Sequence, residues 1–339
     1  VKKKKYLLQA KLEPGNINKL QISPSVQATK SNYSKVHGGK KTPYINYFLK
    51  KQKNKLLQSE QAFRYYNKYN SNIIYKINKK IKVFKGYRWF NINEIYYLLK
   101  KKNIINMDTL SVFSSFIKKK NKDFPLNNSN LISKWISRND KKYYLKSKLK
   151  SLSKLKDWNV DKNKISHKKK LFYSIIGIDV STNNREIKKW SQPIVKGKKM
   201  ALAGILVKDY NNTRHYLCRY ILKPGSKFST ISCSVNTSDL SNYKKNDALS
   251  KFQKKIIKKY LLNKKRKILY ENILSDEGGR FFYNQIKYVG KVLYKDEKLK
   301  IPATYNWISH NQMINLINKK KLDIEARLLF GIINIKNTI

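Results

Sequence analysis

Cysteine is almost missing from this chain: Cys218 and Cys233 are the whole complement in 339 residues. Two thiols exclude a disulfide scaffold and fit a compartment that is reducing or neutral to redox. With His215 they offer three zinc ligands, His215-x-x-Cys218 and then Cys233, without a convincing fourth, so two ordinary buried thiols are expected. Glycine (12), proline (7) and methionine (3) are scarce too, while Lys, Asn, Ile and Tyr are used heavily. The favoured residues have A/T-rich codons, which points to an AT-rich genome such as an organelle's and places the protein in the mitochondrion.

No stretch reaches the ~18 uninterrupted apolar residues of a membrane span. The best runs, Leu171 to Val180 and Leu328 to Ile335, have core-strand length. The opening Val1-Lys2-Lys3-Lys4-Lys5 lacks an apolar signal core, and its lysines are unlike the Arg- and Ser-rich transit peptides. Targeting is therefore expected to have been removed or not needed. Enzyme signatures are absent as well: there is no P-loop, dinucleotide fingerprint, nucleophile elbow or His-Glu-x-x-His. Four histidines (37, 167, 215, 310) and 20 carboxylates leave few candidates for acid-base work, so the sequence predicts a protein that is not an enzyme, with no cofactor, metal or small-molecule substrate.

What the chain has is positive charge. Lys and Arg number 76, so the net charge is +56, which repels itself in a compact fold unless an outside polyanion neutralises it. Nucleic acid fits best, because phosphates neutralised by lysine release counterions and so yield affinity without base recognition. A membrane surface would ask for one basic amphipathic helix or a cluster beside an anchor, whereas here the charge runs from Lys2 to Lys336.

The pattern along the chain predicts an α+β protein: a basic N-terminal extension, a helical region, then a small mixed sheet with packed helices. Residues 1–45, punctuated by Pro14, Gly15, Pro24, Gly38, Gly39 and Pro43, read as an extension ordered by RNA. Residues 46–160 read as basic helices, with Ile45, Phe48, Leu49, Leu56, Phe63 and Tyr66 at helical spacings. Residues 165–240 read as a β-rich domain, with strands at Leu171 to Val180, Met200 to Val207, Tyr216 to Leu222 and Phe228 to Val235. Residues 244–339 read as an α+β C-terminal domain. It opens with an amphipathic helix whose Phe252, Ile256 and Tyr260 face a sheet, and it closes with a buried strand, Leu328 to Ile335.

Phosphate contacts are expected at the basic clusters: Lys40, Lys41, Lys100, Lys101, Lys118, Lys119, Lys168, Lys169, Lys198, Lys199, Lys254, Lys255, Lys258, Lys259, Lys264, Lys265, Arg266, Lys267 and Arg280. Tyrosines among lysines, as in Arg64-Tyr65-Tyr66-Asn67-Lys68-Tyr69, add candidate stacking surfaces for unpaired bases.

Two resemblances bear on function. Leu202-Ala203-Gly204-Ile205-Leu206-Val207-Lys208-Asp209 resembles the motif of organelle homing endonucleases and intron maturases, which would make Asp209 a metal-holding acid; a buried strand containing Ala-Gly is the favoured alternative. Asp323-Ile324-Glu325-Ala326-Arg327-Leu328-Leu329-Phe330-Gly331-Ile332-Ile333-Asn334-Ile335-Lys336, with Leu299-Lys300-Ile301-Pro302 and Gly279-Arg280 upstream, resembles the family of the third small-subunit ribosomal protein, built of a KH and a C-terminal domain. That resemblance implies a structural constituent of the mitochondrial ribosome, in the head of the small subunit, with rRNA, neighbouring ribosomal proteins and mRNA as partners. The competing readings are the nuclease centred on Asp209 and a supernumerary subunit of a mitochondrial membrane complex.

Overall fold

The computed structural model describes residues 4–17, 20–28, 41–49, 54–170, 172–185, 187–197, 200–240 and 249–337. The first half runs β1 (Lys5–Leu12), β2 (Leu20–Pro24), α1 (Ile45–Leu49), β3 (Lys55–Ser59), β4 (Tyr69–Ile73), β5 (Tyr87–Asn91), α2 (Ile92–Leu98) and α3 (Met107–Ser115). A middle stretch holds α4 (Ser129–Lys142) and an antiparallel sheet of β6 (Trp158–Val160), β7 (Lys164–His167), β8 (Ser174–Ser181) and β9 (Lys189–Lys196). The second half runs β10 (Ala201–Tyr210), β11 (Thr213–Ile221), β12 (Thr230–Ser232), β13 (Val235–Thr237), α5 (Lys251–Lys255) with a π-helical continuation over Ile256–Leu261, β14 (Ile268–Ser275), β15 (Gln285–Val292), β16 (Tyr305–Ser309), α6 (His310–Asn318) and α7 (Ile324–Ile333).

The two halves repeat one plan. Tyr6-Leu7-Leu8-Gln9-Ala10-Lys11-Leu12-Glu13-Pro14-Gly15 lines up with Tyr216-Leu217-Cys218-Arg219-Tyr220-Ile221-Leu222-Lys223-Pro224-Gly225. β1 sits between β2 and β5, and β11 pairs in the same way with β12 and β16, Leu7 facing Trp89 as Leu217 faces Trp307. Next come two helices with matching caps. Asn91 with Glu94 and Ser309 with Gln312 form capping boxes on α2 and α6, while Asn106 and Asp323 cap α3 and α7. Even the backbone bonds recur: Ile22 N–H donates to Ile104 O and Asn106 N–H to Ile22 O, as Ile231 N–H donates to Lys321 O and Asp323 N–H to Ile231 O.

Each half also covers the other. The loop 60–68 between β3 and β4 and the loop 276–284 between β14 and β15 are counterparts, closed by Ser59 facing Tyr69 as Ser275 faces Gln285. The first loop docks on Gly225, whose N–H donates to Ala62 O while its O accepts from Asn67 N–H. The second docks on Gly15, whose N–H donates to Gly278 O and whose O accepts from Tyr283 N–H. The contact is too close for a side chain: a Cβ on Gly15 would lie 1.8 Å from Phe281 O, and one on Gly225 1.8 Å from Tyr65 O. Leu110 and Phe113 of α3 share one apolar core with Leu328 and Phe330 of α7, so the two halves bury this core together, while a second cluster around Leu206, Ile256 and Tyr260 belongs to the second half.

Several expectations change here. Residues 5–12 and 20–24, expected to be extension, form a sheet with β5. The stretch 46–160, expected to be helical, holds four described strands, β3 to β6, because its short apolar groups fit either period and cross-chain pairing decided. Leu328 to Ile335, expected to be a strand, lies mostly in α7, which Asp323 caps by accepting from Ala326 N–H. Gly279-Arg280, part of the ribosomal resemblance, sits in the hairpin loop between β14 and β15. β10 and β11 run where strands were expected at Met200 to Val207 and Tyr216 to Leu222, and Ile256 and Tyr260 are buried against the sheet side.

Candidate active site

In a chain so poor in carboxylates, five of the 20 acidic residues gather at one place: Glu13, Glu60, Asp108, Asp276 and Glu277. The repeat puts them there. Glu13 ends the strand that leads to the Pro14-Gly15 turn, Asp108 opens α3, Glu60 and Asp276 begin the two docking loops, and Glu277 follows on the loop that Gly15 receives. Glu13, Glu60, Asp276 and Glu277 are buried and Asp108 half-buried.

Hydrogen bonds fix the cluster. Asn106 Nδ2 donates to Glu13 Oε2 and Gln21 Oε1, both at 3.1 Å. Gln27 bridges Lys11 and Asp108, accepting from the ammonium and donating to the carboxylate. Gln61 donates to Asp276, tying one loop to the other, and Asp276 also accepts from Glu277 N–H at 3.0 Å. Arg280 Nη1 grips Glu277 Oε2 at 2.8 Å, with its guanidinium 5.2 Å from the centre of the Tyr65 ring. Behind them Arg327, fully buried, stands 3.6 Å from Glu60 and donates to Gln58 Oε1 and Ser111 Oγ. Both polar atoms of the Asn16 side chain, packed beside Gly278, are buried without a hydrogen-bond partner among the described residues.

The electrostatics suit proton transfer near neutral pH. Burial lifts Glu60 to about 7, against the pull of Arg327, and Asp276 to about 6. Burial, reinforced by the charge of Asp108, holds Glu277 well above the ordinary carboxylate range. Asp108 is raised by burial and by Glu13. Carboxyls with raised pKa beside the cations Arg280 and Lys11 can move protons on an anionic substrate.

The family model for NDP-hexose 2,3-dehydratase matches residues 2–116 and 129–333. The chain belongs to that family. A dTDP-4-dehydro-6-deoxy-alpha-D-glucopyranose 2,3-dehydratase of Saccharopolyspora spinosa is 29% identical over 355 residues, covering 95% of this chain and 72% of the relative. Enzymes of the same name from Streptomyces violaceoruber (28%, covering 96% and 76%) and Amycolatopsis orientalis (27%, covering 97% and 70%) are similar over the same span.

Membership of this dehydratase family overturns the ribosomal reading. The expectations of rRNA, ribosomal-protein and mRNA partners, of no small-molecule substrate and of no enzymatic activity fall with it. The 323–336 stretch that resembled a ribosomal protein is a capped helix at the junction of two dehydratase halves, and its acidic-Ala-aromatic-Gly pattern reflects packing against α3. The nuclease alternative falls too: residues 202–209 lie in β10, and Asp209 at the β10–β11 turn is bound by Arg214 at 3.0 Å. No support remains for the membrane-complex subunit, and no described helix is long and apolar enough to cross a membrane. The charge misled because polyanion binding is one use of a basic surface, and composition cannot distinguish it from an enzyme drawn from a lysine-rich codon pool.

Among the described basic residues singled out from the sequence, only Arg280 reaches the cluster, where it holds a carboxylate. Lys40, Lys198 and Lys199 lie outside the described residues. Lys41, Lys100, Lys101, Lys118, Lys119, Lys168, Lys169, Lys255, Lys258, Lys259, Lys264, Lys265 and Lys267 are exposed and scattered, and Lys254 is half-buried. Arg266 is structural, bidentate on Glu297 and 4.5 Å from the Tyr260 ring. Cys218 packs its sulfur against Met313, Cys233 is buried, and His215 Nε2 accepts from Leu126 N–H. The five carboxylates were missed. The signal was the repeat itself: Ser59-Glu60-Gln61-Ala62-Phe63-Arg64-Tyr65-Tyr66 set against Ser275-Asp276-Glu277-Gly278-Gly279-Arg280-Phe281-Phe282 marks both loops.

Proposed function

We infer that the chain is a 2,3-dehydratase acting on a nucleoside-diphosphate 4-keto-6-deoxyhexose, the substrate type named for its relatives. The observation that carries this reading is Glu277, held by Arg280 and lifted by burial beside a second raised carboxyl, Asp108. The C4 ketone makes the C3 proton acidic, so the reaction needs a base at C3, an acid at the C2 hydroxyl and no redox partner. Two carboxyls sharing one proton supply both.

Glu277 is the base, since its guanidinium partner favours its ionised form, and Asp108 is the acid. Glu277 takes the C3 proton, and the C–H electron pair forms the enolate with C4. The enolate then expels the C2 oxygen, which leaves as water with the proton of Asp108. The resulting 2,3-enol becomes a 3-ketone when C2 takes the proton from Glu277 and the enol proton returns to Asp108. Both groups end as they began. Arg280 and Lys11 offset the diphosphate charge and the developing enolate.

The test is incubation of the full chain with dTDP-4-dehydro-6-deoxyglucose in deuterated water, followed by mass spectrometry. A product lighter by one water is expected, its C2 carrying the hydrogen that Glu277 took from C3. Substrate recovered unchanged would sink the reading.

A further inference from the structure

At one position the two docking loops differ only by a hydroxyl group. Tyr65 of the first and Phe281 of the second hold the same place: Tyr65 N–H donates to Gln61 O at 3.0 Å, as Phe281 N–H donates to Glu277 O at 2.9 Å. Each carbonyl also sits against the glycine that receives its loop, Tyr65 O at Gly225 and Phe281 O at Gly15. The two rings meet edge to face, their centres 6.0 Å apart. Phe281 is buried, so this fold already packs a plain phenyl ring at the equivalent place. Tyr65 carries in addition a hydroxyl oxygen that is buried without a hydrogen-bond partner among the described residues.

That hydroxyl stands among the groups that the dehydration uses. The guanidinium of Arg280, which grips Glu277, lies 5.2 Å from the centre of the Tyr65 ring. Burial, reinforced by the charges of Glu277 and Asp276 and opposed by Arg280, lifts the phenol well above its usual range, so Tyr65 keeps its proton throughout turnover. Arg280 has only protons to give and cannot accept that one. A hydroxyl buried with no acceptor costs free energy that a phenyl ring avoids, and Phe281 in the other loop shows the avoidance. An acceptor brought by the substrate removes the cost.

We propose that Tyr65 is a further catalytic residue, whose O–H donates a hydrogen bond to the C4 oxygen of the bound 4-keto sugar. This rests on the dehydratase reading, which gives the C3 proton to Glu277 and the C2 hydroxyl to Asp108. The C4 oxygen is the atom left over, and negative charge gathers on it when the C3–H electron pair moves into the enolate. C4 is bonded to C3, so a donor beside the base at C3 stands next to the oxygen that needs it. The hydrogen bond strengthens as the charge develops, while the proton stays on Tyr65. A neutral donor thus stabilises the enolate without any group being transferred.

The experiment compares the full chain with Tyr65→Phe, a ring that the fold already accommodates at Phe281. With dTDP-4-dehydro-6-deoxyglucose as substrate, kcat should fall by about 10²–10³ with KM little changed, the loss of one donor to a developing oxyanion. The urea midpoint should stay at or above the parent's, because an unpartnered hydroxyl is removed. A second readout needs no turnover. In a Glu277→Gln chain, which holds the substrate unreacted, the infrared carbonyl band of the bound ketone should lie below that of the free sugar, and adding Tyr65→Phe should return it. Parental kcat in Tyr65→Phe, a lowered urea midpoint, or a carbonyl band indifferent to Tyr65 would overturn the assignment while leaving the dehydratase reading intact. A band that depends on Tyr65, in a parent chain that never releases water from the hexose, would sink the reading and leave Tyr65 as the donor to the ketone.

Discussion

Ser114 of α3 and Gly331 of α7 occupy the same position in the two halves, and they meet: a Cβ on Gly331 would lie 2.0 Å from Ser114 Oγ and 2.7 Å from its Cα. The helices cross there, and small residues let them approach. Ser114 turns its hydroxyl back onto Leu110 O at 2.6 Å, leaving no polar atom unsatisfied at the crossing.

Gly331→Ala should therefore destabilise the fold by ~1–3 kcal/mol through overpacking, since the clash involves backbone as well as side chain. Urea denaturation would register it as a lower midpoint at unchanged slope. A midpoint equal to the parent's would mean that the helices can part without cost.

Lys223 takes in the second half the place that Glu13 takes in the first, and it is buried between Asp323 at 2.9 Å and Glu325 at 3.2 Å. Lys223→Met should cost ~3–5 kcal/mol, because two carboxylates lose the cation that justifies their burial. The burial of Lys223 opposes its charge while Asp323 and Glu325 raise its pKa, so the ammonium persists through neutral pH. A loss below ~1 kcal/mol in denaturant would place the pair among weak surface contacts.

Stability should fall as pH rises through the acid cluster. A carboxyl raised in the folded state binds its proton more tightly there than in the unfolded chain. Folding is therefore favoured below the unfolded value and loses that help as pH climbs toward the folded one. For Asp276, lifted to about 6 by burial, the window runs from the ordinary Asp range, ~4, upward to about 6. Asp276→Asn should flatten this part of the profile, by on the order of 2 to 3 kcal/mol between its two ends. Thermal melts across pH would show the change, and parallel curves for parent and variant would exclude Asp276 as a source.

Glu277→Gln and Asp108→Asn should each lower kcat by ~10²–10⁴ with little effect on KM. In the parent, kcat/KM should rise with pH along a limb displaced above the ordinary carboxylate range, because the base must be ionised and burial resists that. The limb should vanish in Glu277→Gln. Arg280→Gln should instead raise KM, as a cation beside a diphosphate is lost. A Glu277→Gln enzyme with parental kcat would move the base elsewhere.

Parts of this were legible in the chain and parts were not. The runs around Leu202 and Tyr216 read as strands because long buried β segments have enough β-branched and aromatic residues to outweigh any helical period. The repeat was legible too, in Pro14-Gly15 against Pro224-Gly225 and Trp89 against Trp307, but a search for enzyme motifs does not look for it. β3 and β5 were not legible, since five-residue strands carry too few turns of either period to choose between them.

By itself the sequence determined the net charge, the absence of a disulfide framework and the matching segments of two halves, because these depend only on which residues occur and in what order. Only the tertiary structure decided that Glu13, Glu60, Asp108, Asp276 and Glu277 share one site. They lie as far as 264 positions apart (277 − 13) and meet because each half sends its loop onto the glycine of the other. The raised pKa values of Glu60, Asp108, Asp276 and Glu277 come from the same source. A carboxyl loses water and gains neighbours only when distant strands close over it, and no residue type or spacing records that burial in advance.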